Sequence, residues 1–240
     1  MTARADFAYA QARLQARHGR GPAAPDAPAW RALEASRTAT QALAAARAGA
    51  LADWVDGLDD AADAHAIEAG LRARWQRHVD EVARWLPLRW QAAVRWFAVL
   101  ADLPRIAAPG ADRPSTGSDP SARGRGRAEA DLAPFAAVPL DAGAAVAIWH
   151  AQWRRLAPAA EPVLLRPAEL LLPRLLGPGA LRPRNHAATR DALLRLFRRH
   201  PGSAVAVTAH LALVALDLER LRGELVEHRL FEPGPVPQAA

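Results

Sequence analysis

The stretch Ile67-Glu-Ala-Gly-Leu71-Arg-Ala-Arg-Trp75-Gln-Arg-His-Val79-Asp-Glu-Val82-Ala-Arg-Trp-Leu86 decides the fold class. Its large apolar residues recur at steps of three and four, the period of a helix with one buried face. The acids Asp59, Asp60 and Asp63 precede it and suit the positive end of a helix dipole. They also sit where a general acid/base cluster would be sought, but a helix start accounts for them better. Pro87 must stop or kink the helix, and Trp90, Val94, Phe97 and Leu100 resume the period up to Pro104.

The same reading extends outward. Alanine, leucine, arginine and glutamate dominate while valine, isoleucine, threonine and tyrosine are scarce, which favours helix nearly everywhere. No segment alternates with period two, so the expected class is all-α, a multi-helix packing without strands. Helices are expected over about 3–17, 29–36, 38–55, 141–156, 167–176, 185–199 and 203–231. In the last, Leu211, Val214, Leu218, Leu221, Leu225 and Val226 face inward.

From Ala107 to Ala130 the composition turns to Pro, Gly, Ser, Asp and Arg, with Arg123, Arg125 and Arg127 alternating with glycine. That predicts a linker dividing an N-terminal helical unit, residues 1–106, from a C-terminal one, residues 131–232. A disordered tail, residues 233–240, follows from Pro233.

Composition narrows the chemistry. The chain has 240 residues, 51% of them hydrophobic and 23% charged, a globular balance. It contains no cysteine, which excludes disulfides, thiolate zinc sites and cysteine nucleophiles. All 31 basic residues are arginine, so a Schiff-base lysine and a phosphate-loop lysine are excluded too. The first twenty residues mix Arg4, Asp6, Arg13 and Arg17 among apolar ones, unlike a signal peptide, and a cytoplasmic location is expected. The longest apolar run, Ala204 to Leu216, is too short to span a bilayer.

Histidines invite a metal test. His65 with Glu68 and His78 with Glu81 make two His-x-x-Glu pairs, but they lie 13 residues apart on one helix and point to different faces. No metal or cofactor is therefore expected. His210, alone in an apolar stretch, reads as a histidine at the edge of the core. The serines Ser36, Ser115, Ser118, Ser121 and Ser203 fall mainly in connections, and no nucleophile elbow or dinucleotide-binding glycine motif occurs, so no catalytic residue is assigned. The net charge of +6 is spread along helices and interleaved with acids, and the short arginine–glycine tract lacks aromatic residues, so nucleic acid is not an expected partner.

Two stretches carry a family resemblance. They are Phe7-Ala-Tyr9-Ala-Gln-Ala-Arg13-Leu-Gln-Ala-Arg17 and Ala209-His-Leu-Ala-Leu-Val-Ala-Leu-Asp217-Leu-Glu219-Arg-Leu-Arg222. They resemble the opening and closing helices of the C/d-type coupling subunit family of V/A-type rotary ATPases. The resemblance implies a shortened, divergent member acting as a helical socket between the membrane rotor ring and the central stalk. Such a subunit passes torque without chemistry and touches the membrane only through a protein partner. It singles out Tyr9, Arg13, Glu219 and Arg222; read from spacing alone, the first two are a surface pair and the last two an i,i+3 ion pair. The alternative is a helical adaptor or assembly protein whose partner is unrelated to any ATPase.

Overall fold

A computed structural model describes residues 7–19, 27–107, 133–135, 141–158, 162–176 and 183–231. These residues form eleven α-helices: α1 (Ala8–Gly19), α2 (Ala27–Glu34), α3 (Ala39–Arg47), α4 (Ala52–Val55), α5 (Ala64–Arg84), α6 (Leu88–Arg95), α7 (Leu103–Ile106), α8 (Ala142–Leu156), α9 (Pro162–Leu176), α10 (Pro183–Arg199) and α11 (Ala204–Leu230). Two short 3₁₀ segments, Trp96–Ala101 and Ala133–Phe135, accompany them, and no strand occurs among the described residues. The chain is all-α, as its composition and periodicity require.

Local chemistry sets the boundaries. Asp63 accepts the amide of Ala66 at 2.7 Å and so caps the start of α5. Asp59 takes the amide of Ala61 at 2.7 Å, and Asp60 pairs with Arg47. The acidic cluster is thus occupied by capping and an ion pair. Thr38 caps α3 through the amide of Gln41, at 3.2 Å, while the side chain of Gln41 accepts the amide of Arg37 at 3.0 Å. Asp141 caps α8 through Ala144 at 2.7 Å.

Two helices differ from expectation. The helix expected over 38–55 ends at Arg47 and resumes at Ala52, with a turn between them that contains Gly49, a poor helix former. Helix α9 begins at Pro162, five residues earlier than expected, because proline suits the first position of a helix. Pro167 and Pro173 lie inside it, each withholding one backbone donor.

The chain packs as two compact units, and each gathers segments distant in sequence. The first comprises residues 1–11 and 78–216, the second residues 12–77 and 217–240. Described residues on both sides of the 107–130 stretch, such as α6 and α8, belong to the same unit and pack against each other. The divisions of packing fall within α1, α5 and α11, not at the composition change. Residues 108–130 and the tail from 233, expected to be linker and disordered, lie outside the described residues.

The first unit is built on aromatic side chains. Trp149 and Trp153, one turn apart on α8, are fully buried. Phe97 meets Trp149 edge-on with ring centroids 5.4 Å apart, and Trp96 stacks on Phe135 at 5.9 Å. Phe7 packs edge-on against Trp90. Residues 204–213 of α11 are all buried, which explains why that segment shows no polar face. No helix among the described residues is long and apolar enough to cross a membrane.

The second unit has an aliphatic core of Leu14, Leu33, Leu43, Leu51, Ile67 and Leu71, with Trp75 and with Leu221 and Leu225 from the last turns of α11. The helical period read from Ile67 to Leu86 is realised in full: Ile67, Leu71, Trp75, Val79, Val82 and Leu86 are all buried.

Candidate interaction site

Glu219 and Arg222, one turn apart on α11, meet as a two-pronged pair. Arg222 donates to both carboxylate oxygens of Glu219, Nε at 3.0 Å and Nη2 at 2.6 Å. Its remaining arm, Nη1, donates to Glu68 of α5 at 2.8 Å. The i,i+3 ion pair expected from spacing is present, with a third member added from a helix 154 residues away in sequence. Its hydrogen bond to Glu219 raises the Arg222 pKa against the opposing cost of partial burial, and Glu68 adds to the effect. The guanidinium is locked in its charged form between two carboxylates.

The neighbouring turns of α11 fasten in the same way within the second unit. Arg220 pairs with Glu34, and its guanidinium carbon lies 4.2 Å from the ring centroid of Trp30, a cation–π contact. His228 donates from Nε2 to the carbonyl of Leu33 at 3.3 Å, and Arg229 donates to the carbonyl of Asp60. Glu34, Arg220, His228 and Arg229 were not singled out by sequence, and Glu68 was weighed only as half of a His-x-x-Glu pair. The dense charge of Glu219 to Arg229 signalled Arg220, His228 and Arg229, whereas their partners on other helices cannot be read from spacing.

One carboxylate in this group is out of balance. Glu224 is half-buried, and burial raises its pKa, with the charge of Glu34 and then of Glu227 pushing the same way, while Arg220 and His228 oppose. A carboxyl whose pKa is higher folded than unfolded costs stability when both states are ionised, and the cost fades as pH falls through the folded value. Glu224→Gln should therefore raise the thermal midpoint at about pH 8, and the gain should shrink towards zero near about pH 4.5. Paired melting curves at the two pH values check this; an equal gain at both would mean that charge is not the cause.

At the other end of the resemblance, Tyr9 is 56% exposed on α1 and Arg13 is exposed one turn later. Both present side chains to solvent, while Phe7, Ala10 and Leu14 are buried. The surface pair expected from spacing fits this placement.

His210 is not at the edge of the core. It is only 3% exposed, and its Nε2 lies 3.1 Å from Nε2 of His78, itself 8% exposed. The ring centroids lie 5.3 Å apart, as in two imidazoles set head to head, so one Nε2–H donates and the other Nε2 accepts. Of the four residues in the two His-x-x-Glu pairs, His78 is thus tied to His210 and Glu68 to Arg222. Among the described residues no group of three or more His, Cys, Asp or Glu side chains is placed to hold a metal ion.

No protein-family model, no curated protein and no solved structure matches this chain.

Proposed function

We propose that this chain is a non-catalytic coupling subunit of a V/A-type proton- or sodium-translocating rotary ATPase, a helical socket between rotor ring and central stalk. The observation that carries the reading is the pair of sequence stretches ending at Arg17 and Arg222, which resemble the opening and closing helices of that subunit. The all-helical architecture is compatible with it, as is the exposure of Tyr9 and Arg13, which offers the opening helix to a partner. Fastening of the closing helix by Arg222 suits a part that must transmit force without yielding. On this reading the protein works without a cofactor at the cytoplasmic face of a membrane.

A second reading has its own observation. Glu219, Arg222 and Glu68 satisfy one another within the chain, so the closing-helix motif needs no partner to account for it. That favours a helical adaptor or assembly protein whose partner is not an ATPase. Affinity capture of the tagged full chain from its native cells, with partners identified by mass spectrometry, separates the two. Rotor and stalk components recovered in comparable amounts support the first. A different partner set, under conditions that keep the ATPase intact, sinks it and supports the second.

A further inference from the structure

Arginine is unevenly divided between the two units. Residues 1–11 and 78–216 hold 19 arginines and 12 carboxylates, whereas residues 12–77 and 217–240 hold 12 and 13, so the whole +6 excess lies in the first unit. Within it, α10 carries five arginines against a single carboxylate, Asp191, and α8 ends on Arg154 and Arg155 with no acid along its length.

Helix α9 packs against both α8 and α10. Residues 157–161 and 177–182 join them, and consecutive helices with such short connections run antiparallel. The C-terminal turns of α8 and α10 therefore lie at the same end of this helical layer. Arg154, Arg155, Arg195, Arg198 and Arg199 are gathered there, all five exposed and none ion-paired among the described residues. Guanidinium groups in a last helical turn complement the backbone dipole, which explains one or two per helix but leaves five at one end with no ion-pair partner among the described residues.

We infer that this end of the first unit docks directly on the phosphate headgroups of an anionic lipid bilayer. The surroundings choose among polyanions. A protein partner would want apolar anchors, yet the large exposed apolar side chains among the described residues, Tyr9, Leu88, Leu230 and Phe231, all lie off α8, α9 and α10. Single-stranded nucleic acid would want aromatic stacking, and the exposed side chains described on α10 are alanine, arginine and Asp191. A duplex groove would bring α10 alongside the phosphates and press Asp191, on the same face as Arg195 and Arg198, against them. End-on contact with a flat anionic surface meets the arginines and leaves Asp191 behind. The inference does not rest on the rotary-ATPase reading, in which the membrane is reached through a protein partner; direct binding to lipid is a contact beyond it.

Flotation of the full chain with vesicles of phosphatidylglycerol and phosphatidylcholine, against phosphatidylcholine alone, tests it. Binding is expected only with the anionic lipid and should fall steeply between about 50 and 300 mM salt. Each arginine at an anionic surface is worth roughly fivefold, so the triple variant Arg195→Gln, Arg198→Gln, Arg199→Gln should lose roughly 100-fold. The corresponding triple lysine variant should keep most of the binding, because a headgroup layer needs charge more than a planar fork. If the glutamine triple does not fold, Arg154→Gln with Arg155→Gln must show a loss of roughly 25-fold. Equal binding to both vesicle types, a folded triple variant that binds as the parent does, or binding to duplex DNA without binding to the anionic vesicles would overturn the inference.

Discussion

Trp149→Ala should unfold most of the first unit, whereas Trp149→Phe should be nearly harmless. Trp149 is fully buried, lies edge-on to Phe97 and touches the ring of His150 with centroids 5.5 Å apart. Truncation to alanine removes the whole indole and leaves a void that a packed helical core closes only in part, at a cost of about 3–5 kcal/mol. That is a large share of the stability of a domain this size. The indole Nε1–H, however, is buried without a hydrogen-bond partner among the described residues, a penalty of about 1–3 kcal/mol already present in the native state. Phenylalanine keeps the aromatic contact and removes the unmet donor, so the two effects offset to within about 1 kcal/mol. Trp96 supplies the control. Its Nε1 donates to the carbonyl of Trp149 at 3.0 Å, so Trp96→Phe loses packing and a satisfied bond together. It should cost about 1–2 kcal/mol more than Trp149→Phe. Urea titrations followed by circular dichroism rank the three variants; Trp149→Phe falling level with Trp149→Ala would show that indole volume, not the donor, governs the site.

Much of this architecture is legible in the sequence, and the limit of that legibility has a physical cause. Helical period is local, so the buried face from Ile67 to Leu86 and the stop at Pro87 could be read directly, as could the cap at the start of α5, which Asp63 alone of the three acids supplies. Glu219 with Arg222 was legible because one turn separates them. Glu68 was not, since nothing in 154 intervening residues says which helix will lie alongside. The same holds for His78 and His210, 132 residues apart, each of which looks dispensable until the other is seen facing it. The composition change at 107–130 pointed to a boundary there, but packing is decided by which faces meet, and α6 and α8 meet within one unit. Charge shows the effect most clearly. Along the sequence the arginines alternate with acids, and only the division into units places all the excess on one of them.

Arg222→Gln should destabilise the second unit by about 1–2 kcal/mol, and the way that loss couples to Glu68 will say what the closing-helix motif is for. Three hydrogen bonds disappear, but the guanidinium side chain is 35% exposed and its carboxylate partners 33% and 17%, so water recovers part of each interaction and the full value of a buried charged pair does not apply. Removing the cation also leaves Glu219 and Glu68 facing one another with no charge between them. In a double-mutant cycle Glu68→Gln should therefore relieve part of the Arg222→Gln loss, giving a coupling of about 0.5–1.5 kcal/mol. The matching cycle with Glu34, which pairs with Arg220 instead, should show coupling near zero. A structural pin predicts that partner capture falls only in proportion to stability and returns when the folded fraction is restored, for example by Glu224→Gln in the same chain. If Arg222→Gln abolishes capture of a partner while the melting midpoint stays put, the residue faces outward in function, and the internal pair is the resting arrangement of a contact that opens on binding.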